Sequence, residues 1–317
     1  MTPQVTGKKC PDGVVMLPET IPPLPFVMAL NLEVGPGGFM CPYCRSVGIG
    51  PEVPRSCRLV DLKTKLLKCV FQLVKTHNLL PSHNYIFGYH PHGILAIGAF
   101  CNFGTEATGV SKKFPGIKPY LVALAGYFRM PVVREYFISA GLCPVSRQSI
   151  DYILSKNGTG NAVVIVIGGT AECLDCQSGK NSVTLKQRKG FVKIALQHGA
   201  NLVPVYSFGE NKAYKQILFE EDSWGLWLQR KFQKNVGIAP CLFYGCGFFS
   251  TDTWGFVPYP TPITTVVGEP IAVPKMEQPT QKDVDLYHSM YLTSLQKLFD
   301  KYKTEFGLSE SDVLEII

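Results

Sequence analysis

The stretch NYIFGYHPHGILAIGAFCNF, residues 84–103, joins a strand, a tight turn and a helix in one short run. Residues 84–90 are mostly apolar or aromatic, which predicts a buried strand. The turn at 91–93 contains Pro and Gly, and residues 94–103 are predicted to form the following helix. A buried strand that leads directly into a helix is the repeating unit of α/β folds.

The same alternation of strands and helices continues toward the C-terminus. Buried strands are predicted at residues 161–167, 202–208 and 263–267, and helices at residues 190–198 and 283–306. Gly199 is predicted as the C-terminal stop of the first of these helices. We therefore predict an α/β fold with a mixed, mostly parallel sheet flanked by helices.

The N-terminal part of the chain differs from the rest. Residues 1–57 are rich in Pro, Gly and Cys without a hydrophobic period, which predicts an irregular segment ahead of one domain over residues 58–317. Residues 58–80 show leucines at helical spacing with lysines between them, which predicts an amphipathic basic helix. We favour packing of this helix on the core over binding to an anionic membrane surface.

Composition limits the classes of protein that fit. With 46% hydrophobic and 17% charged residues, most of the chain is expected to fold. The net charge of +7 suits anionic lipids, nucleic acid or a phosphorylated cosubstrate, or serves solubility alone. No run approaches the roughly 18–20 apolar residues of a membrane span, so membrane contact is expected to be peripheral or re-entrant. The 11 cysteines, without a secretory signal, are expected to be reduced.

The motif that carries chemistry is His90-Pro91-His92-Gly93, at the end of the first predicted strand. Catalytic groups in open α/β sheets gather at the carboxyl ends of strands. Imidazole titrates near neutral pH, so either histidine can take a proton from an alcohol that attacks a thioester. Because the chain has no Gly-x-Ser-x-Gly nucleophile motif, direct attack by the acceptor is the simpler mechanism.

A metal site is the alternative interpretation of these histidines. Two imidazoles in a His-x-His pattern can bind one metal ion, but such a site needs further ligands at later strand ends. The other four histidines are predicted away from strand ends: His77, His83, His198 and His288. The single CxxC motif, Cys41 to Cys44, has no second pair at zinc-site spacing. We therefore predict no metal.

Other polar residues recur at predicted strand ends and helix starts. Glu106 lies near the end of the helix that follows the histidines, where a carboxylate could orient an imidazole. Glu172 follows Gly168-Gly169 after a buried strand and is a candidate for binding an acceptor headgroup. Arg188-Lys189-Gly190 opens the helix at 190–198, where cations and free N–H groups suit anions such as coenzyme A phosphates.

These segments together resemble the type 2 diacylglycerol acyltransferases, within the wider group that includes monoacylglycerol acyltransferases and wax synthases. The resemblance covers more than three quarters of the chain. The segments that carry it are residues 85–109, 134–162, 168–175, 185–211 and 254–271, and they include the HPHG, RKGFVK and VPVYSFGE signatures. Residues 111–131 are more similar to the diacylglycerol enzymes than to the monoacylglycerol enzymes.

The resemblance implies an acyltransferase domain that esterifies the free hydroxyl of diacylglycerol with acyl-CoA to form triacylglycerol. It implies that His90-Pro91-His92-Gly93 is the active-site signature, and that Pro204, Gly209 and Glu210 belong to the substrate-binding part. It also implies the endoplasmic-reticulum membrane, on its cytosolic face, and lipid droplets as the location. Acyl-CoA is then a cosubstrate, no cofactor or nucleic-acid partner is expected, and homo-oligomer formation stays open.

Two departures from the family pattern keep alternatives open. Glycerolipid acyltransferases carry Asp five positions after the catalytic histidine, whereas this chain has Leu95 or Ile97 there. Residues 1–70 contain neither the apolar hairpin nor the Tyr-Phe-Pro segment of the family. The alternatives are therefore a monoacylglycerol or long-chain alcohol acceptor, or an inactive lipid-binding homologue.

Overall fold

The computed structural model describes residues 71–220, 223–237, 240–247 and 254–317. The predicted irregular segment at 1–57, with its CxxC motif, lies outside the described residues. The first part of the predicted helix, residues 58–70, also lies outside them.

Most of the described strands form one sheet. In chain order the strands are β1 Phe71–Lys75, β2 Tyr85–His90, β3 Lys118–Ala123, β4 Cys143–Pro144, β5 Asn161–Val166, β6 Ser182–Val183, β7 Asn201–Phe208, β8 Lys215–Ile217, β9 Leu242–Cys246, β10 Trp254–Gly255, β11 Ile263–Val267 and β12 Glu315–Ile316. The main sheet has the order β1-β11-β7-β2-β5-β3-β4. Its neighbouring pairs are parallel except β11 with β7, which confirms a mixed, mostly parallel sheet.

Helices connect and flank these strands. They are α1 Ile97–Ala99, α2 Val110–Lys113, α3 Val133–Ser139, α4 Arg147–Ser155, α5 Gly169–Leu174, α6 Gly190–His198, α7 Trp224–Val236 and α8 Gln281–Tyr302. The long helix α8 begins with a capping box in which the Thr280 and Asp283 side chains bond each other's backbone N–H groups. It packs against β7 and α6, beneath one face of the main sheet.

The central strand β2 is buried along its whole length, which explains its continuous apolar sequence. Ile86 joins the core on the face covered by α6 and α8. Tyr85, Phe87 and Tyr89 alternate onto the opposite face, where Phe87 and Tyr89 both contact the ring of Phe103. Burial of each such side chain contributes about 1.5–3 kcal/mol, so β2 is held firmly from both sides.

The predicted helix at 58–80 is wrong where the structure describes it, because residues 71–75 form strand β1. Phe71 and Leu73 are buried while Gln72 between them is exposed, which is the period of a strand. β1 pairs in parallel with β11, so the free edge of that strand decides the conformation. A run this short fits both periods, and its sequence alone does not separate them.

The helix predicted at 94–103 is confirmed only in part. The α-helical conformation begins at Ile97, after a left-handed Ala96, and passes into a π-helical turn over Phe100–Gly104. The strands predicted at 161–167, 202–208 and 263–267 match β5, β7 and β11. Helix α6 matches its prediction and ends at a left-handed Gly199, and α8 lies within two to four residues of its predicted bounds.

Candidate active site

The carboxyl ends of three neighbouring parallel strands bring the candidate residues together. β2 lies between β5 and β7, with His90 opposite Tyr206 on β7 and Tyr89 opposite Val166 on β5. The segments that follow these strands therefore leave the sheet at one edge: the His-Pro-His-Gly turn, the start of α5, and Gly209-Glu210. This is the edge at which open α/β sheets bind ligands.

His92 holds its imidazole in the form of a base. Its Nδ1 lies 3.0 Å from the carbonyl oxygen of Gly93. Because a carbonyl only accepts hydrogen bonds, Nδ1 carries the proton and Nε2 keeps its lone pair. The side chain is half-buried, and desolvation lowers its pKa below the ordinary 6.5, against the bond to Gly93. His92 is therefore neutral at pH 7.

His90 occupies a different environment, with none of its surface exposed. Its Nε2 lies 3.0 Å from the Tyr291 hydroxyl, which itself donates to the carbonyl of Gly88 at 3.0 Å. The Nε2–H of His90 therefore donates to Tyr291, and Nδ1 has no hydrogen-bond partner among the described residues. Burial lowers its pKa to about 3. Of the two histidines, His92 presents the more accessible basic nitrogen.

Glu172 anchors the histidine turn. The backbone N–H of His92 donates to one carboxylate oxygen, and the backbone N–H of Thr184 donates to the other at 2.8 Å. A Cβ at Gly168 would overlap this carboxylate, so the glycine makes room for it. Burial raises the pKa of Glu172 to about 7, against these hydrogen bonds and the charge of Arg188. With both oxygens engaged by backbone, Glu172 positions the turn rather than presenting a free headgroup ligand.

Glu210 supports the same turn from the opposite face of β2. Its carboxylate accepts hydrogen bonds from the Tyr89 hydroxyl at 2.7 Å, the Gly98 N–H at 3.1 Å and the Ser207 hydroxyl at 3.2 Å. A Cβ on Gly93, at φ +60°, would lie 2.8 Å from its Cγ. Burial raises the pKa of Glu210 to about 7. It therefore ties α1 and the turn to the ends of β2 and β7.

Glu106, the carboxylate that the sequence offered as partner of the histidine, lies elsewhere. Its side chain accepts hydrogen bonds from the Ser111 hydroxyl at 3.0 Å and the Ser111 N–H at 3.4 Å. No hydrogen bond in the described part of the chain joins it to His90 or His92. The structure thus brings Glu172 and Glu210 to the turn instead.

The predicted anion site at the start of α6 has one cation near the turn. Arg188 is exposed, and its charge acts to lower the pKa of Glu172. Lys189 instead pairs with Asp285 on α8, at 2.7 Å. Gly190 is exposed at the first position of the helix. Arg188 is therefore the cation best placed to meet a ligand at this edge.

The remaining predicted residues shape the backbone. Pro91 is buried and follows His90 across a cis peptide bond. Gly169, at φ +62°, opens α5 with open space at its Cβ position. Pro204 lies inside the sheet opposite Gly88, and Gly209 turns the chain at φ +90° against the carbonyl of Pro262. Only a glycine accommodates that approach.

Sequence reasoning missed Thr184 and Tyr291, which complete the site. Thr184 holds the second oxygen of Glu172, and Tyr291 holds His90. Tyr291 is about 200 positions from the histidine it contacts, and neither Thr184 nor Tyr291 stands in a motif. Its helical spacing in α8 marks it as a core residue but does not show what its hydroxyl bonds.

A cleft of about 480 Å³ lies beside the site, between α5 and α7. Its lining includes Thr170 and Asp175 from α5, and Arg230 and Lys234 from α7. Within the described ranges no group of three or more His, Cys, Asp or Glu side chains is arranged to hold a metal ion. In the same ranges, no helix combines the length and apolar composition that crossing a membrane requires.

At the carboxyl edge of this mixed α/β sheet, a neutral imidazole on a carboxylate-anchored turn is a group that can accept a proton from a ligand. Residues 68–317 match the family model described as diacylglycerol acyltransferase. The chain belongs to the diacylglycerol acyltransferase family.

Several relatives are similar over more than three quarters of the chain. Diacylglycerol O-acyltransferase 2 of Xenopus tropicalis is 76% identical over 78% of this chain and 68% of its own length. The Homo sapiens protein of that name is 70% identical over 77% of this chain and 63% of its own length. Human diacylglycerol O-acyltransferase 2-like protein 6 is 53% identical over 77% of this chain and 74% of its own length.

Among solved structures, the fold is similar to the 1-acyl-sn-glycerophosphate (LPA) acyltransferase PlsC from Thermotoga maritima. That match has 12% sequence identity and a TM-score of 0.39, and covers 76% of this chain and 75% of that chain.

Proposed function

We propose that this chain is an acyl-CoA-dependent acyltransferase that esterifies the free hydroxyl of diacylglycerol to form triacylglycerol. Membership of the diacylglycerol acyltransferase family supports the proposal, as does the high identity to relatives named diacylglycerol O-acyltransferase 2. The observation that carries the chemistry is the His92 imidazole, whose Nδ1 is held by the Gly93 carbonyl so that Nε2 is a free base.

In the proposed reaction, Nε2 of His92 takes the proton of the acceptor hydroxyl as its oxygen attacks the carbonyl carbon of the acyl thioester. A tetrahedral intermediate forms and then breaks its carbon–sulfur bond. The coenzyme A thiolate leaves and accepts the proton that the imidazolium now carries. The products are the ester and free coenzyme A, and the histidine returns to its neutral state.

Backbone groups and one arginine complete the proposed mechanism. Backbone N–H groups near Gly93 or Gly168-Gly169 are candidates to stabilise the oxyanion of the intermediate. Arg188, exposed beside the anchor of the histidine turn, is the candidate for a coenzyme A phosphate.

The proposal includes a location on the cytosolic face of the endoplasmic-reticulum membrane and on lipid droplets. Diacylglycerol partitions into membranes, so the enzyme has to work at a lipid surface. The six cysteines of the described residues are free thiols, which supports a reducing compartment.

The test is transfer of labelled oleoyl-CoA in microsomes to diacylglycerol, monoacylglycerol and long-chain alcohol, side by side. We expect triacylglycerol as the preferred product. His92→Gln should lower the rate at least about 100-fold, as removal of a general base does. A larger loss in His90→Gln than in His92→Gln would move the base to His90.

Three results would contradict the function. Wild-type activity in both histidine variants would exclude a histidine base. A preference for monoacylglycerol or alcohol would change the acceptor. No product from any acceptor, with the protein present, would leave a lipid-binding homologue.

The pH dependence of the reaction is a further prediction. Burial lowers the pKa of His92 below the ordinary 6.5, so kcat/KM should fall as pH drops through this lowered pKa, because the imidazole becomes protonated.

A further inference from the structure

Helix α7 presents its apolar side chains outward. Trp224, Trp227, Leu228 and Phe232 are 80%, 60%, 50% and 44% exposed, respectively. Trp227, Leu228 and Phe232 follow Trp224 by three, four and eight positions, which places all four side chains on one stripe of the helix. Gln229, on the other side, is only 7% exposed. The helix thus reverses the usual order, in which the apolar face is buried.

Polar contacts hold the inward face of α7. Gln229 Nε2 donates to the carbonyl of Pro240 at 2.9 Å, and Gln233 Nε2 donates to the Thr170 hydroxyl at 3.3 Å. These bonds fix the rotation of the helix, so the aromatic stripe faces away from the described protein. An exposed apolar surface that contains two tryptophans marks a place where a partner binds.

Charge identifies the partner. Arg230, Lys231 and Lys234 lie on the same helix, which contains no acidic residue. Lys231 Nζ lies 4.4 Å from the centre of the Trp227 ring, so charge and aromatic surface are presented together. A second copy of α7 would place three cations against three cations, which opposes self-association. Tryptophan beside lysine is the pattern of helices that lie in a membrane interface.

We propose that α7 lies flat on an anionic lipid surface, with its four apolar side chains in the boundary between headgroups and acyl chains and its cations on the phosphates. Leu242, two positions after the Pro240 that Gln229 bonds, pairs with Ile217 on β8, and the two side chains are 49% and 42% exposed. The insertion of α7 is shallow and needs no membrane-spanning helix.

The position of α7 connects the lipid surface to the candidate site. α7 bonds Thr170 on α5, and Glu172 on the same helix holds the backbone of His92. Docking through α7 therefore leaves only this helix, about 10 Å across, between the lipid surface and α5. The functional value of this position rests on the proposed function, since an acceptor dissolved in the membrane would then have a short path to His92.

The test follows the fluorescence of Trp227 in the full chain, with Trp224→Phe and Trp254→Phe making it the single tryptophan. The chain is added to vesicles of brominated phosphatidylcholine, with and without phosphatidylserine. We expect a blue shift and quenching of Trp227 that depend on phosphatidylserine. Lys231→Gln and Lys234→Gln should each weaken binding to the anionic vesicles about fivefold at low salt.

A matched pair of variants separates the stripe from general surface hydrophobicity. Leu228→Gln with Phe232→Gln should weaken vesicle binding by about tenfold or more, because both side chains lose burial in lipid. Leu286→Gln with Val313→Gln removes apolar side chains that are 56% and 63% exposed elsewhere. This control pair should bind as tightly as the parent.

Several outcomes would overturn the proposal. One is a Trp227 signal that vesicles do not change, whether or not the chain binds to them. Another is quenching of equal strength without phosphatidylserine. A third is a blue shift that appears without vesicles as the chain dimerises, which would assign the stripe to a second copy. None of these measurements involves turnover. If Trp227 inserts but no triacylglycerol is made, only the proposed function is contradicted. If the chain is active but Trp227 is not quenched, only the proposal about α7 is contradicted.

Discussion

His90 and His92 stand two positions apart and do different work, because the strand ends between them. His90 is the last residue of β2 and keeps the alternation of the strand, which directs it toward Tyr291 and the core. His92 lies beyond Pro91, where the pleat no longer decides which way a side chain points. Its orientation comes from Glu172 and from the Gly93 carbonyl. Both histidines belong to the motif, and the end of β2 between them places the two imidazoles in different environments.

The first prediction concerns Glu172 as a positioning residue. A glutamine at this position replaces one carboxylate oxygen with an NH2 donor, which faces the N–H of either His92 or Thr184 and cannot accept from it. Glu172→Gln should lower kcat by about 10-fold to 100-fold with KM little changed, because the misplaced turn affects the chemical step more than binding. Steady-state kinetics with oleoyl-CoA and diacylglycerol measure both constants.

Glu106→Gln is the comparison that decides between the two carboxylates. The side chain of Glu106 bonds Ser111 and not the histidine turn. If Glu106→Gln costs more kcat than Glu172→Gln does, the assignment made from the sequence is restored and the role given to Glu172 is wrong.

At the scale of elements, α8 and β2 are joined by one buried hydroxyl. Tyr291 accepts from His90 and donates to Gly88, both on β2. A Cβ at Gly88 would overlap this hydroxyl, so glycine at that position allows the helix to approach the strand. Burial, and not this hydrogen bond, lowers the pKa of His90, so its imidazole is neutral beside the His-Pro-His-Gly turn.

Tyr291→Phe should lower the free energy of unfolding by about 1–3 kcal/mol, because it leaves the His90 Nε2–H buried without a partner. Tyr287→Phe is the matched control on the same helix, since the Tyr287 hydroxyl makes no hydrogen bond within the described residues. It should change stability by less than about 0.5 kcal/mol. Urea unfolding followed by circular dichroism measures both, and equal losses would contradict the contact.

At the scale of the whole molecule, two buried carboxylates support the turn from opposite sides of β2. Burial raises the pKa of both Glu172 and Glu210 to about 7 from an ordinary 4.5. Between pH 4.5 and about 7, both carboxyl groups keep their protons in the folded chain and have released them in the unfolded chain. The free energy of unfolding that each group contributes therefore falls as pH rises through this window.

Glu210→Gln tests this linkage, because glutamine does not titrate. The stability of the wild type relative to the variant should fall as pH rises from 4.5 to about 7, by at most about 1.4 kcal/mol per pH unit. Outside this window the difference should be constant. Urea unfolding of both proteins across the range measures it, and a difference that grows with pH would show that the folded state prefers ionised Glu210.

The sequence by itself determined the class of fold, and it predicted where the chemistry lies. Long apolar runs such as residues 161–167 match β5, and the helix at 190–198 matches α6, because their periods are carried by neighbouring residues. The His-Pro-His-Gly motif marks a strand end for the same local reason. Sequence similarity to the family added the activity, which no period or spacing contains.

Only the tertiary structure decided which groups meet at that strand end. Residues 71–75 became a strand because β11 offers them an edge, although their own sequence also fits a helix. Glu172, rather than Glu106, reaches the turn because β5 lies beside β2 in the sheet. The apolar stripe of α7 faces outward because Gln229 bonds Pro240 and Gln233 bonds Thr170 on α5. These outcomes rest on contacts between segments that are distant in the sequence. Such contacts contribute to stability only after folding has brought the segments together.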